Sequence, residues 1–366
     1  MTLRVGVNLL WLAPGRVGGS EEYLTRQLAG LPPEADLDVT LYVAPAFGAA
    51  HPEFAGRTRS AVAPLHRDSR ALRLALERTW LPRHSRSVDV VHHGGGTVPP
   101  GGRAPTVVTV HDLQYLAFPE YFSRARLAYL RAAMPASMRR ATLVTTPSEY
   151  VRGRVIDAFG RDPESVIVVP HGVPDIARPS PHALEAAWQA HGVRPPYVVY
   201  PAITHPHKGH RVMVEMAAHL PPDVQLVLTG GAGAAEGALA AAIAAAGVGD
   251  RIVRTGRVPS GDRDALLAGA DALVFPSEYE GFGAPLVEAM VLGVPIVAAD
   301  LPALVEVLGG AGVVVPDRTG AAWAEAVADA RSRRAELVAA GAARRAAFTL
   351  EHSGAVLLTA YRAAAI

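Results

Sequence analysis

Twelve short apolar runs rich in β-branched residues, separated by stretches of helical character, limit what this chain can fold into more than any other feature. The first six are RVGVNLLWL, DVTLYVA, VDVVHH, PTVVTVHD, TLVTTPS and SVIVVPHG. The second six are YVVYPA, VQLVLTG, RIVRTG, ALVFPS, VPIVAAD and GVVVPD. Strand runs alternating with helical sequence predict βαβ units and parallel sheets. Between the two sets lies PHGVPDIARPSP, residues 170–181. Its prolines stop a helix and remove ladder donors, so it reads as a linker. The expected fold class is therefore α/β, with two Rossmann-like domains, 1–175 and 176–350. Ligands of such sheets bind outside the carboxyl ends of the strands, which predicts a site in a cleft between the domains.

The chain has 366 residues, enough for two domains of roughly 150 to 200 residues each. Half of them are hydrophobic and 19% are charged, which excludes a disordered chain. No apolar run reaches the roughly 18 residues that cross a bilayer. Val5–Ala13 reads as a first strand and not as a secretory core. The absence of cysteine removes disulfides, thiolate metal sites and thiol nucleophiles, and fits a cytoplasmic location. A net charge of +1 argues against a nucleic-acid partner. Charge is nevertheless uneven: between Arg57 and Arg86 eight arginines face only Asp68 and Glu77, and Phe122–Ala141 holds no acid. That region is either a solvated surface or a patch for an anionic acceptor or a membrane, the latter helped by Leu72, Leu76 and Trp80 at helical spacing.

The motifs fall just after strands. Gly18 and Gly19 follow the first run, His111 follows PTVVTV, the stretch Thr204–Lys208 follows YVVYPA, and SEYEGFGAPLVEAM follows ALVFP. In the last of these, Gly281 and Gly283 permit unusual φ values, Pro285 suits the first helical position, and N–H groups near Phe282 and Gly283 are placed to meet an anion. Glu280 before the turn and Glu288 in the first helical turn would then flank a bound phosphate and accept hydrogen bonds from sugar or ribose hydroxyls. The competing reading is that Glu280 caps the helix and Glu288 complements its dipole.

EGFGAPLVEAM resembles the E-x7-E motif of retaining glycosyltransferases of the GT-B fold, particularly family 4. The resemblance extends co-linearly through the Gly-Gly loop, VVTVHDL, TTPSEYVRGRVIDAFG, PHKGH and GRVPSGDRDALLAGADALVFPS. It implies catalytic roles for His111, Lys208 and Glu280, with Glu280 on the donor sugar, Lys208 on the leaving diphosphate and His111 on the transferring sugar or acceptor. It further implies donor binding by Gly18, Gly19, Gly281, Phe282, Gly283 and Glu288, the last on the ribose, and a base held near Arg257 and Val258. A final helix, 351–366, would return to the first domain, with Val356, Leu357, Ala360 and Tyr361 as its apolar face.

One position departs from the pattern: Ile203 stands where many members carry an arginine, leaving Lys208 as the principal cation and His205 or His207 as a second hydrogen-bond donor. HPHKGH lacks accompanying carboxylates or thiolates, and there is no convincing Asp-x-Asp, so neither metal nor cofactor is expected. GGAGAAEG, residues 230–237, has Glu236 where a dinucleotide fingerprint needs its third glycine. The resemblance thus implies a glycosyltransferase that moves a sugar, from a GDP-mannose-like or UDP-hexose-like donor, to a glycan, lipid-linked or secondary-metabolite acceptor with retention. The alternatives are a phosphorylase of the same fold, with Lys208 as Schiff base to pyridoxal phosphate, and a catalytically idle sugar-nucleotide binder.

Overall fold

Val5 pairs in parallel with Val39 on one side and with Val90 on the other, which makes the first strand the middle of its sheet. In the computed structural model, which describes residues 2–15, 18–65 and 69–366, that sheet has seven strands. They are β1 (Leu3–Asn8), β2 (Leu37–Val43), β3 (Arg59–Val62), β4 (Val90–His93), β5 (Thr106–Thr109), β6 (Leu143–Thr146) and β7 (Val166–Val168), in the order β3-β2-β1-β4-β5-β6-β7. Arg67 and Asp68 of the basic segment lie outside the described residues. The strand absent from the sequence reading is β3. It is an edge strand, RSAV, largely exposed, and an edge strand needs no continuous apolar run.

The second sheet has six parallel strands: β8 (Tyr197–Pro201), β9 (Gln225–Thr229), β10 (Ile252–Gly256), β11 (Ala272–Phe275), β12 (Ile296–Ala299) and β13 (Val313–Val315), in the order β10-β9-β8-β11-β12-β13. Its central strands are buried on both faces, which is why YVVY, LVL and ALVF are unbroken apolar runs and do not alternate. Helices begin at side-chain caps where the sequence supplies them: Ser148 accepts from the Val151 N–H and Ser180 from the Ala183 N–H.

The chain divides into one unit of Met1–Pro174 with Phe348–Ile366 and a second of Asp175–Ala347. The divisions fall one and three residues from those expected at 175/176 and 350/351. The last helix, Leu350–Ala364, belongs to unit 1. Leu357, Leu358, Tyr361 and Ala364 enter the same core as Val5, Leu24, Leu28 and Val107. Val356 only packs partly buried at its edge. The helix lies backbone to backbone on the end of the helix Gly19–Ala29. A Cβ at Gly30 would overlap the Leu350 carbonyl, and one at Gly354 would overlap Gly30. Inside, Tyr361 Oη is 2.8 Å from His92 Nδ1, and His92 Nε2 is 2.7 Å from Thr109 Oγ1, so a buried hydrogen-bond chain fastens the helix to β4 and β5.

Candidate active site

In each sheet the strand order reverses once, between β1 and β4 in unit 1 and between β8 and β11 in unit 2. Such a switch point leaves a crevice at the carboxyl ends of the two strands. In unit 2 the segments that follow β8 and β11 carry Lys208 and Glu280. Lys208 closes a short turn, Pro206–Lys208, and Gly209 follows at φ 67°. A Cβ on Gly209 would overlap the Pro276 carbonyl, so only glycine brings the two segments this close. The Glu278 N–H donates to His207 O at 2.7 Å, and Tyr200 Oη donates to Lys208 O at 2.6 Å. Arg318 adds donors to the carbonyls of Pro276 and Ser277. Held in this way, Lys208 Nζ donates to Glu280 Oε1 at 2.6 Å, with side-chain exposures of 20% and 13%.

Next to the pair, Gly283 takes φ 95° and caps the helix Ala284–Leu292 with no side-chain cap. A Cβ there would also come within 2.6 Å of Leu304 Cδ2. Of the two glycines in the turn, only Gly283 uses a left-handed φ. Phe282 is buried, anchoring the turn, and Gly281 is half-buried. Two expectations are corrected. The helix starts at Ala284, with Pro285 second, because Gly283 itself performs the turn. Glu288, the fifth residue of the helix, therefore lies beyond the first turn, where it does not complement the dipole. The residue is 4% exposed, and its carboxylate stands 3.8 Å from the Arg263 guanidinium. Arg263 and Arg318 were not legible as site neighbours, because no motif spacing ties them to Glu288 or to Pro276.

His205 and His207 stack nearly parallel, with ring centres 5.8 Å apart. Burial, then the Lys208 charge, lowers the pKa of both, that of His207 to about 4. At neutral pH each supplies one N–H and no charge. Ile203 is half-buried, and the glycine-rich segment 230–237 folds over its loop. Thr204 N–H donates to Gly231 O, Ala235 N–H donates to Thr204 O, and a Cβ at Gly233 would overlap the Thr204 carbonyl. These glycines thus serve close packing on that loop. Arg257 is exposed and Val258 half-buried immediately after β10, beside Gly231. Among the described residues no group of three or more His, Asp or Glu side chains is placed to hold a metal ion.

In unit 1, Gly18 at φ 69° caps the helix Gly19–Ala29, and among the described residues nothing beyond the adjoining backbone comes within 4 Å of where a Cβ would sit on Gly18 or Gly19. Glu21 in the first turn is committed inside, accepting from the Gly15 N–H and facing His51 Nε2, both at 2.9 Å. His111 follows β5 and is half-buried, its Nε2–H donating to Gly94 O at 2.8 Å. Trp11 and Tyr23 flank its ring at centroid distances of 5.9 and 5.3 Å. Burial lowers its pKa, so the ring is neutral, with Nδ1 as its acceptor nitrogen. Lys208, Glu280, Gly281, Phe282, Gly283 and Glu288 are thus gathered in unit 2, and Gly18, Gly19 and His111 stand in unit 1.

Two parallel α/β units with their last helix returned to the first define the GT-B class. HepE from Anabaena, solved with UDP and glucose, superposes with a TM-score of 0.78 over 98% of both chains at 22% identity. Residues 17–175 match the model of Glycosyltransferase Family 4 and residues 187–345 that of Glycosyl transferases group 1. The chain belongs to this glycosyltransferase family. It is 29% identical over 239 residues to the O-antigen chain mannosyltransferase B of Escherichia coli, covering 62% of this chain and 61% of the relative. It is 31% identical over 306 residues to the D-inositol 3-phosphate glycosyltransferase of Geodermatophilus obscurus, covering 78% and 64%. The chain therefore spans less than two thirds of the length of these curated relatives.

Proposed function

We propose that the protein transfers a hexosyl group from a nucleoside diphosphate sugar to a hydroxyl of a glycan, lipid-linked or secondary-metabolite acceptor, with retention of configuration and without a metal. The observation that carries this reading is the meeting of Lys208 and Glu280 at the switch point of unit 2, beside a helix start that no side chain caps. A diphosphate there takes the Lys208 ammonium and the N–H groups of the helix start at Gly283, both directed at the charge that develops on the leaving group. Glu280, released from Lys208, accepts from hydroxyls of the donor sugar. Glu288, held one turn further along, accepts from the ribose.

The bond from the anomeric carbon to phosphate oxygen breaks and the bond to the acceptor oxygen forms on the same face. The acceptor proton passes to the departing phosphate. His111, neutral and fixed by Gly94, orients a hydroxyl through Nδ1 and needs no change of charge. The likeness to HepE, also solved with UDP-glucose, and to a mannosyltransferase supports a UDP-hexose or GDP-mannose type of donor.

Thermal-shift titration with UDP, GDP, ADP and TDP sugars tests the donor, since a ligand of the native state raises the melting temperature. NMR of the product then reads the anomeric configuration. One sugar nucleotide should stabilise the protein and be turned over with EDTA present. Inversion at the anomeric carbon refutes retention. Stabilisation without product favours the idle binder, a reading for which Ile203, in place of a second cation, is the supporting residue.

A further inference from the structure

The helix Arg70–Thr79 buries an acid where a leucine would be expected. Its one fully buried residue is Glu77, 6% exposed, whereas Leu72 is 38% exposed. Glu77 faces a partly open cavity of about 170 Å³ between this helix, the segment after it, and β4 and β5. An apolar cavity of about 150 Å³ holds a benzene-sized ring, so the space suits one six-membered ring. Leu81, Val91 and Val98 form apolar wall, and His93 and Thr106 join Glu77 in the lining.

The polar groups are set in a defined order. Asn8 Nδ2 donates to Glu77 Oε1 and to His93 Nδ1, each at 3.3 Å, while Asn8 Oδ1 accepts from the Leu10 N–H. With Nδ1 of His93 accepting, its proton sits on Nε2. Burial lowers the His93 pKa to about 4, which keeps the ring neutral. The second oxygen of Glu77 has no ion-pair partner among the described residues. The cavity therefore has an acceptor, Glu77, and a donor, His93, in its lining, tied to each other through Asn8 and backed by apolar wall. The hydroxyls of a ring answer both, donating to the carboxylate and accepting from the imidazole. Burial raises the pKa of Glu77, opposed by Arg73, the Asn8 hydrogen bond and Arg78, and Arg140 lines the cavity, so positive charge is already present and the site does not call for a cationic ligand.

We propose that this cavity is a second small-molecule site, which binds a neutral polyhydroxylated six-membered ring, a monosaccharide or cyclitol, through Glu77 and His93. It is lined by residues of unit 1 alone, whereas the proposed nucleotide site is built from residues of unit 2, and its binding needs no donor and no turnover. The test is saturation-transfer NMR and calorimetric titration of the full chain with glucose, mannose, myo-inositol and glucosamine, with and without saturating nucleotide. At least one neutral ring should bind with a Kd of about 1 mM, a value in keeping with a few hydrogen bonds. Glu77→Gln should weaken it at least tenfold, and Ala104→Leu, which fills the cavity, should abolish it, with the melting curve and nucleotide binding of both variants near the parent's. The proposal is overturned if no neutral ring saturates, if nucleotide competes with it, or if both folded variants bind like the parent. Tenfold preference for glucosamine over glucose also overturns it, since that would mark an ammonium site.

Discussion

Replacing Lys208 by alanine separates two consequences of the geometry in unit 2. The first concerns the folded protein. Lys208 and Glu280 are in contact at 2.6 Å with 20% and 13% of their side chains exposed, between a surface pair and a buried one. Removing the lysine should therefore cost about 1 kcal/mol, because solvent still reaches both groups. The second concerns the reaction. A preorganised charge on the leaving group is worth roughly 3 to 4 kcal/mol, or about 10² to 10³ in rate. Lys208→Ala should then lower kcat by that factor while weakening the nucleotide less. It also leaves the Glu280 carboxylate directed at the place the diphosphate should take. Consequently the double variant Lys208→Ala/Glu280→Ala should bind nucleoside diphosphate more tightly than Lys208→Ala alone, though it stays inactive. Lys208→Arg should rescue only in part, since a planar fork does not replace a compact ammonium. Initial rates against donor concentration, calorimetric nucleotide affinities and melting temperatures for the four proteins decide the matter. An alanine variant within threefold of the parent in kcat, or equal nucleotide affinity in the single and double variants, refutes the reasoning.

Leu357→Ala removes a fully buried side chain from the unit 1 core and should cost roughly 2 to 5 kcal/mol, read as a lower urea midpoint; unchanged stability would mean the last helix is not docked in solution. His92 and His93 have pKa values lowered by burial to about 3 and about 4, so the unfolded chain takes up their protons first. Their contribution is complete above about pH 6.5 and is lost as pH falls toward 4, about 2 kcal/mol per histidine by pH 5; urea denaturation at pH 7.5 and pH 5 should show that loss, and equal midpoints would contradict it. Arg124, Arg126 and Arg131 stand exposed on the helix Arg124–Arg140, near exposed Leu116 and Tyr121. Sedimentation with anionic vesicles should exceed that with neutral vesicles at low salt and shrink at physiological salt, and no preference would leave these arginines as solvated surface.

Much of this architecture follows from local chemistry. The apolar runs of β8 and β11 lack the polar alternation that a half-exposed strand would carry, so a parallel sheet buried on both faces was legible. Gly283 and Pro285 announce a turn into a helix wherever they stand in this order, and the proline-rich 170–181 segment announces a break between units. What no local pattern contains is distance between residues far apart in the chain. Glu280 and Lys208 are separated by 72 positions, and only the strand order, with β8 beside β11, turns a supposed sugar ligand and a supposed phosphate ligand into one ion pair. The same holds for Glu77, which as sequence is one acid in a basic, amphipathic stretch. The tertiary structure brings Asn8 from β1 and His93 from β4 to it and sets Glu77 and His93 in the wall of a cavity. Periodicity and turn chemistry act over a few residues, whereas the crevice at a switch point exists only once the order of strands has been decided.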